Sequence, residues 1–508
     1  MYLNLKKIIF NHIQKNKWLY LVFAMISLIY LIKLTHFPIF ADEAIYINWA
    51  NRIKNGDENI FYSMFDGKPP LHIWFMSFWA FIWPNLFFAG RFASVFVFLV
   101  FILFLLFYFK KYYDELLAII TVLVLSFSPF IFFHTRMAIL DSSLSVFLSM
   151  FVIFLSTSKI KYHYIFSGIF LGLAYWIKTP AMFLFALPFL SFLILDRTKK
   201  NFFQTLATLS LGLALILCLK VSIWFPNLFT RSQDFTYSLS TIMTGQLSQV
   251  LTNILNLFTW INIYQSILFL VFVVVSIYFV IREKFKTKKT EVNLYLNFLL
   301  ATIVFLTPLF ILGKVLTPRY FLPSIFFLGF NLSFLFYQLI RKNLFVGLSL
   351  VVLILGIWGL KDYKFIFAYL NTSYPKPDEY QYFKEWSSGI GIKESMDFFA
   401  KAAKKQKIKV LTEGYFGTLP DALFVYYSSL PSSISQNMEI VGVGDPESAN
   451  FLNQVKNSHT QAIYYLGNKK RINPAIVDTK LILLETYPKK DNYDYLELFH
   501  IYLSQYEN

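Results

Sequence analysis

Residues 87–109 read FFAGRFASVFVFLVFILFLLFYF, an apolar run interrupted by one charged residue. A helix that crosses the hydrocarbon core of a bilayer needs about twenty mostly apolar residues, and this run meets that length. Similar runs recur from Trp18 to Leu360, with short polar breaks between them. Of the 508 residues, 57% are hydrophobic and 20% aromatic, more than a soluble globular domain carries. The sequence therefore predicts a polytopic α-helical membrane protein.

The apolar runs predict about eleven membrane-spanning helices. The first run follows a basic stretch, but no small-residue cleavage pattern ends it before His36, so we interpret it as a retained anchor rather than a signal peptide. The predicted spans are 18–34, 87–109, 116–134, 137–155, 163–178, 181–195, 202–223, 262–281, 293–312, 320–338 and 343–360.

The positions of Lys and Arg predict the orientation, because short loops rich in these residues stay in the cytoplasm. They occur before the first run and then in alternate breaks, so the N-terminus is predicted inside and the C-terminus outside, in a plasma (inner) membrane. This topology explains much of the net charge of +17 and removes the argument for a nucleic-acid partner. The residues are Lys6, Lys7, Lys15 and Lys17, then Lys110 and Lys111, Lys159 and Lys161, Arg197, Lys199 and Lys200, 282–289, and Arg341 and Lys342.

Three long stretches fall on the predicted outer side. Residues 37–85 contain an amphipathic helix that follows Asp42 and ends at Gly56, and then a segment opened by Lys68-Pro69-Pro70. Residues 224–261 alternate apolar and polar residues and are predicted to lie along the membrane interface. Cys218 is the single cysteine and lies in an apolar run, which excludes a disulfide framework and a cysteine metal site.

The third outer stretch divides the chain into a transmembrane catalytic domain, 1–360, and an extracytoplasmic domain, 361–508. The C-terminal part has the composition of a soluble protein, with helical spacing over Ile392–Ala403. Strands are predicted at 409–411, 462–466 and 481–484, so a small α/β domain fits best. The run Thr412–Pro420 predicts a strand followed by a tight turn, and the competing hypothesis is a surface for an acceptor or a sugar.

Ionisable residues at membrane depth are costly and usually serve function. Several lie on the outer side, where the positive-inside tendency predicts few cations. A phosphate or pyrophosphate at this surface would explain all the cations together, since Lys and Arg are its usual partners. The cations are Lys68, Arg136, Lys178, Lys314 and Arg319, and the carboxylates are Asp42, Glu43 and Asp141.

Each charged residue also has a structural interpretation. Asp42 stands where a helix N-cap is wanted. Arg136 and Asp141 are close enough in sequence to pair with each other. Lys314 and Arg319 are placed to extend toward the membrane interface. All of these interpretations must hold together to remove the site.

Four segments of the chain, over roughly residues 1–340, resemble the GT-C membrane glycosyltransferases that use polyprenyl-phosphate sugars, in particular the protein O-mannosyltransferase and aminoarabinose-transferase group. The Trp-Trp-Asp-Tyr-Gly signature of the oligosaccharyltransferase branch is absent, which disfavours transfer of large glycans to asparagine. The segments are Phe40-Ala41-Asp42-Glu43, Gly67-Lys68-Pro69-Pro70-Leu71, Arg136-Met137-Ala138-Ile139-Leu140-Asp141, and Pro318-Arg319-Tyr320 with Pro323.

The resemblance implies roles for these residues. The aspartate of the acidic pair is the base that activates the acceptor in that group, which gives this role to Asp42, with Glu43 orienting the acceptor or supporting Asp42. The lysine of the Lys-Pro-Pro-Leu segment lies near the donor phosphate, which points to Lys68. Further phosphate partners are implied at Arg136, Lys178, Lys314 and Arg319, and cavity or supporting residues at Asp141, Tyr320 and Tyr62.

The expected chemistry needs one base and several cations. A base takes the acceptor proton, whereas phosphate leaves without a strong acid and needs positive charge to stabilise it. Attack from the opposite face inverts the anomeric centre. No cofactor is expected beyond the polyprenyl-phosphate sugar, and a divalent metal is not expected, although Asp42, Glu43 and Asp141 offer oxygen ligands.

The sequence thus predicts a glycosyltransferase that moves one sugar to a hydroxyl of a glycan, lipid or protein acceptor. The alternative is a transporter or flippase for an anionic lipid or solute, which basic residues in a bundle also suit. Transporters commonly show internal repeats, and none is found here. A third possibility is an inactive relative whose outer domain binds glycans.

Overall fold

The computed structural model describes residues 14–238, 247–286, 290–446, 448–458, 462–472 and 481–501. Most of the chain before residue 368 is helical. The helices of this part are α1 Lys17–Leu31, α2 Ala41–Asn55, α3 Leu71–Ile82, α4 Leu86–Tyr112, α5 Glu115–Phe127, α6 Pro129–Thr135, α7 Leu140–Ser156, α8 His163–Ile177, α9 Leu187–Leu195, α10 Lys199–Cys218, α11 Asn227–Thr230, α12 Leu247–Gln265, α13 Ile267–Lys286, α14 Thr290–Leu312, α15 Leu322–Lys342 and α16 Leu344–Phe367.

Within these ranges, five helices are long and apolar enough to cross a membrane, or seven if two bent pairs each count as one span. Five further apolar helices have between 10 and 17 residues. Every predicted span contains one of these helices, while the number of about eleven crossings remains a prediction. The five long segments are Leu86–Tyr112, Lys199–Val221, Val292–Leu312, Pro318–Lys342 and Leu344–Phe367.

Two of the predicted spans are broken. The span predicted at 116–134 bends by 65° between α5 and α6, where Pro129 cannot donate a backbone hydrogen bond and Ser128 caps the new helix. The span predicted at 262–281 begins near a bend of 112° at Ser266, which has a φ of +71°. Such bends are invisible to a hydropathy window, which sees only composition.

The outer loop has the predicted form. The amphipathic helix α2 ends at Gly56, whose φ of +80° favours glycine because it has no Cβ. A short 3₁₀ helix, Tyr62–Asp66, then leads to Gly67 at φ +72° and to α3, which begins after Pro70. The tight turn at Gly67 places Lys68 between the two helices.

The C-terminal part contains a five-stranded mixed sheet in the order β2-β1-β3-β5-β4. The helix predicted at Ile392–Ala403 is confirmed as α18, as are the three predicted strands, and the sequence reasoning missed β2 and β5. The preceding α16 runs on to Phe367, beyond the predicted end at 360. The elements are α17 Lys376–Glu379, α18 Ile392–Ala403, β1 Ile408–Thr412, α19 Asp421–Tyr427, α20 Ser432–Ser435, β2 Met438–Gly442, α21 Ala449–Lys456, β3 Ala462–Asn468, β4 Leu481–Pro488 and β5 Tyr495–Ile501.

The start of α2 is held by the C-terminal part of the chain. The backbone nitrogen of Ala41 donates to the carbonyl oxygen of Ser387 at 3.0 Å, and Phe40 forms an antiparallel bridge with Ser388. The rings of Phe40 and Tyr382 pack edge to face with centroids 4.7 Å apart. These contacts fix the position of the helix that carries Asp42 and Glu43.

Candidate active site

Glu43 is the anchor of the outer loop rather than an exposed catalytic group. Its carboxylate is fully buried and accepts two hydrogen bonds from Arg91, each 2.8 Å long. It also accepts from the backbone nitrogens of Phe40 at 3.0 Å and Ala138 at 2.7 Å. Because both oxygens are occupied inside the protein, Glu43 does not contact an acceptor. The structure corrects the catalytic role predicted for it, because Glu43 holds Arg91 and the backbone at the start of α2.

Asp42 lies one residue earlier and points away from this anchor. One oxygen, Oδ2, accepts a hydrogen bond from Arg319 Nη2 at 2.6 Å. The side chain is 31% exposed, whereas that of Arg319 is 8% exposed. No hydrogen bond to the other oxygen, Oδ1, comes from the residues that the structure describes. One carboxylate oxygen is therefore held by a cation and the other is open to a bound molecule.

A second ion pair lies next to this one. Lys178, at the end of α8, donates to Asp141 Oδ1 at 2.6 Å, and Asp141 stands in the first turn of α7. The ring of Tyr320 lies between the two cations, 4.4 Å from Lys178 Nζ and 5.6 Å from the guanidinium carbon of Arg319. Residues from four distant parts of the sequence thus converge on one place, as the sequence reasoning predicted.

Lys68 joins the cluster from the outer loop. Its ammonium lies 5.6 Å from the centre of the Phe235 ring, and no carboxylate of the described residues lies within ion-pair distance of it. Burial lowers the pKa of Lys68 below its usual value of 10.5, although the charge of Asp42 opposes this effect. A partly buried cation without a paired anion is a suitable partner for a phosphate.

Opposing effects set the ionisation of Asp42. Burial raises the pKa of Asp42, but the positive charges of Arg319, Lys68 and Lys178 together outweigh burial. The pKa of Asp42 therefore lies below its usual value of 3.8, and the carboxylate is ionised near neutral pH. An ionised carboxylate with one open oxygen has the protonation state that a general base needs.

Arg136 lies elsewhere, which corrects its prediction as a phosphate partner. Its guanidinium donates to the carbonyl oxygens of Ile29, Tyr30, Ile32 and Lys33 over 2.8–3.3 Å. These carbonyls end α1, where the last turn of a helix lacks intrahelical donors. Arg136 caps that helix, and it does not pair with Asp141, the other interpretation of its charge.

Lys314 and Tyr62 are also outside the cluster. Lys314 is exposed, and the contact seen for it is a backbone hydrogen bond to Phe235 at 2.9 Å. The Tyr62 hydroxyl accepts a hydrogen bond from Arg52 at 3.0 Å. Arg52 is ten residues after Asp42 in α2, so it lies roughly 15 Å from Asp42 along the helix axis. Neither residue contacts Asp42, Lys178 or Arg319 in the described part of the chain.

The sequence reasoning missed three residues of the site. Arg91 is the lone charge in the apolar run 87–109, and that isolation was the available clue to its role. Tyr46 stands one turn after Asp42 in α2. Burial, and to a smaller extent the negative charge of Asp42, raises the pKa of Tyr46 well above 10.0. Tyr382 is fully buried beside Phe40, and its hydroxyl has no partner among the described residues.

The three carboxylates considered as metal ligands each bind a cationic side chain. Asp42 pairs with Arg319, Glu43 with Arg91, and Asp141 with Lys178. In the part of the chain that the structure describes, no group of three or more His, Cys, Asp or Glu side chains is placed to hold a metal ion. The expectation that no metal takes part remains a prediction.

The run Thr412–Pro420 forms the end of β1 and a turn, as predicted, with Gly417 at φ +104°. Glu413 is buried and accepts from the backbone and side chain of Asn468 at 2.7 and 2.5 Å. It therefore stabilises the sheet and does not line a surface. Tyr415 and Phe416 are exposed by 62% and 68%, so they present the outer face of this turn.

Comparison with known proteins gives the fold a class. Residues 67–224 match the family model described as dolichyl-phosphate-mannose-protein mannosyltransferase. The crystal structure of ArnT from Cupriavidus metallidurans bound to undecaprenyl phosphate superposes with a TM-score of 0.58 at 15% identity, over 96% of this chain and 99% of that chain. The apo structure of ArnT gives 0.56 at 14% identity, over 97% and 99%.

This chain has a GT-C fold. The resemblance predicted from the four sequence segments is confirmed, as is an α-helical GT-C fold followed by a small C-terminal sheet. The oligosaccharyltransferase of Archaeoglobus fulgidus, in complex with zinc and sulfate, matches with a TM-score of 0.48 at 12% identity, over 92% of this chain and 72% of that chain. No curated protein sequence matches the chain.

Proposed function

We propose that this GT-C protein is an inverting glycosyltransferase that moves a single sugar from a polyprenyl-phosphate donor to a hydroxyl acceptor at the outer face of the plasma membrane. The observation that carries the proposal is the Asp42–Arg319 pair at 2.6 Å, with Lys178 and Lys68 beside it. Two comparisons support the reaction class: the mannosyltransferase family match and the fold shared with ArnT, whose structure holds undecaprenyl phosphate.

Asp42 acts as the base in this proposal. Its open oxygen, Oδ1, takes the proton of the acceptor hydroxyl while the hydroxyl oxygen attacks the anomeric carbon. Arg319 keeps the carboxylate ionised before substrate binds. A donor phosphate that also binds Arg319 draws positive charge away from Asp42 and makes the carboxylate a stronger base. Donor binding would in this way prepare the base for the acceptor.

The cations act on the leaving group. The bond between the anomeric carbon and the phosphate oxygen breaks as the acceptor oxygen bonds from the opposite face, so the configuration inverts. Negative charge then develops on the polyprenyl phosphate, and Lys68, Lys178 and Arg319 stabilise it electrostatically. Asp141 and Tyr320 hold Lys178 in place through an ion pair and a cation–π contact.

The acceptor approaches from the C-terminal side of the cluster. Ser387 and Tyr382 contact the start of α2, and Asp421, at the end of the Thr412–Pro420 turn, accepts from Asn48 of α2 at 2.6 Å. The exposed rings of Tyr415 and Phe416 are on this turn. We place the acceptor against this surface, whether it belongs to a glycan, a lipid or a protein.

The test is turnover of polyprenyl-phosphate monosaccharides by the purified protein. A panel of radiolabelled donors is incubated with cell-envelope extract, and the released polyprenyl phosphate and the labelled product are both measured. Asp42→Asn is expected to lower kcat by about 10²–10⁴-fold, the usual contribution of a general base, with little change in donor affinity.

Asp57→Asn is the matched control, since Asp57 is an exposed carboxylate of the same outer loop and takes the same chemical change. Its activity is expected to equal that of the unmodified protein. If Asp42→Asn folds and transfers sugar at the full rate, Asp42 is not the base. If no donor is bound or consumed, the glycosyltransferase proposal itself fails.

A further inference from the structure

A cavity with polar and apolar lining lies at the end of the helix bundle opposite the Asp42 cluster. Its volume is about 720 Å³, within the range of small-molecule sites. Its walls come from the C-terminal ends of α7 and α9 and the N-terminal ends of α8, α10 and α14. Helix α8 begins at His163, which lines the cavity, and ends one residue before Lys178 of the Asp42 cluster. The length of α8, 15 residues or roughly 22 Å, therefore separates the two places.

The cavity is open at this end of the bundle and is lined by both polar and apolar residues. Asn297 of α14 is 1% exposed, and its amide nitrogen donates to Ser156 at 2.9 Å. Its carbonyl oxygen has no hydrogen-bond partner among the described residues. The amides of Asn201 and Gln204, which also line the cavity, are partly exposed and can accept hydrogen bonds from a bound molecule. Asp196 adds a carboxylate to the lining.

Cations surround the same cavity. Lys161, from the break between α7 and α8, and Lys200, in the first turn of α10, both line it. With Asp196 as the one carboxylate of the lining, two lysines leave a net positive charge there. These lysines belong to breaks that the sequence analysis predicts on the cytoplasmic side. The ligand that fits this chemistry carries a phosphate and, beside it, hydroxyl groups.

The surface beside the cavity is apolar. Phe189 and Ile194 of α9 are exposed by 47% and 54%, and Phe203 of α10 by 57%. In a membrane protein such exposed rings and branched chains face lipid tails. A ligand with acyl chains can therefore lie against α9 and α10 while its headgroup enters the cavity.

We propose that this cavity binds the headgroup of an anionic glycerophospholipid with a hydroxyl-bearing headgroup, such as phosphatidylglycerol. Lys161 and Lys200 bind the phosphate, and Asp196 and Gln204 accept hydrogen bonds from the glycerol hydroxyls. Basic pockets between membrane helices on the cytoplasmic side are suited to anionic headgroups. The site is independent of the proposed glycosyl transfer, because it uses none of the residues of the Asp42 cluster.

The experiment measures lipid binding to the full-length purified protein in detergent by native mass spectrometry. Phosphatidylglycerol is compared with phosphatidylethanolamine, which has donors but no net charge, and with phosphatidylcholine, which has neither. We expect affinity to fall in that order. In the double variant Lys161→Gln/Lys200→Gln, phosphatidylglycerol binding should weaken about tenfold or more, since each cation near the surface contributes about 1 kcal/mol.

The matched control is Lys110→Gln/Lys111→Gln, which removes two lysines from another break of the same predicted face, neither of which lines the cavity. It should retain phosphatidylglycerol binding within about twofold of the unmodified protein. Equal losses in the two double variants, or equal binding of the three lipids, would overturn the proposal. Free sn-glycerol 1-phosphate should bind much more weakly than the lipid, and equal affinity for it would remove the assignment to a lipid.

Discussion

At the scale of single residues, the adjacent carboxylates Asp42 and Glu43 have opposite surroundings. Glu43 accepts four hydrogen bonds inside the protein, three of which come from Arg91 and Phe40, and it is fully buried. Asp42 has one charged partner, Arg319, and an open oxygen. A helix turns by about 100° per residue, so neighbours in the first turn of α2 face different ways. Glu43 therefore stabilises the loop, while Asp42 keeps one oxygen open for chemistry.

The first prediction follows from the environments of Asp42 and Lys68. Because the pKa of Asp42 is lowered below 3.8, the base stays ionised and the acid limb of kcat/KM should lie below the usual range of a carboxylate. Because the pKa of Lys68 is lowered below 10.5, its charge is lost earlier as pH rises, and donor use should decline at a pH below that value. The pH profile of donor turnover measures both limbs.

Lys68→Arg tests the assignment of the basic limb. Arginine stays protonated throughout the accessible pH range, so the decline at high pH should move upward or vanish in this variant. An unchanged basic limb would assign it to a group other than Lys68. If donor turnover by the unmodified protein already falls as the pH drops through the neutral range, Asp42 is not ionised there and the assignment is contradicted.

The second prediction concerns Glu43. Glu43→Gln leaves the guanidinium of Arg91 buried without its counter-charge, and breaking a buried ion pair typically costs about 3–5 kcal/mol of unfolding free energy. Thermal unfolding in detergent should therefore show a clear fall in Tm. Glu58→Gln is the comparison, because it makes the same chemical change and its partner Arg52 is 41% exposed, so Arg52 stays solvated when that pair is broken. Equal Tm values for the two variants would exclude the anchoring role of Glu43.

The sequence predicted part of this site and could not have predicted the rest. Asp42, Lys68, Lys178 and Arg319 were found because charged residues are rare at membrane depth on the predicted outer side, and the structure brings these four together. Arg136 carries the same signal in the sequence. Its guanidinium instead reaches the last carbonyls of α1, a contact that depends on how two distant helices pack.

At the scale of elements, close packing of α2 on α4 positions the candidate base. A Cβ atom added at Gly90 of α4 would lie 2.4 Å from Ile47 Cγ1 and 2.7 Å from its Cδ1. These distances are shorter than a van der Waals contact, so any larger residue forces the buried side chain of Ile47 in α2 to move. Gly90 stands next to Arg91, and the two residues together fix the depth at which α2 lies on the bundle.

The third prediction is that Gly90→Ala lowers both stability and transfer. Overpacking typically costs about 1–3 kcal/mol, and a shift of α2 changes the distance between Asp42 and Arg319. Thermal unfolding and donor turnover are measured together. Gly356→Ala in α16 is the matched control, since nothing lies within 4 Å of its added Cβ. If the two variants behave alike, the contact between Gly90 and Ile47 does not position α2.

The helices and strands themselves were largely predictable from the sequence, whereas the bends between consecutive helices were not. The helix Ile392–Ala403 has the bounds that its apolar spacing predicted, because that spacing matches the helical period. The break at Ser266 and the kink at Ser128 each lie inside a segment that is apolar enough, taken as a whole, to count as one span. Composition reports whether a segment prefers lipid, while a bend depends on local backbone geometry and neighbouring helices.

At the scale of the whole molecule, the fold extends far beyond the part that sequence comparison detects. The family model covers residues 67–224, whereas the shared fold with ArnT covers 96% of this chain at 15% identity. The matched region contains Lys68, Asp141 and Lys178, and the fold adds Asp42 and Arg319 from outside it. A cluster of charged residues assembled from both parts requires the entire bundle, which is why single motifs remained ambiguous in the sequence.

The last prediction concerns the orientation of the molecule, on which the whole proposal depends. In a Cys218→Ser background, Tyr415→Cys and Ser158→Cys place single thiols at exposed positions at opposite ends of the bundle. A membrane-impermeant maleimide should label Tyr415→Cys in intact cells and label Ser158→Cys only after permeabilisation. The positive-inside tendency gives this expectation, because Ser158 lies beside Lys159 and Lys161. The reverse pattern would place the Asp42 cluster in the cytoplasm, and donors would then have to be presented on that side.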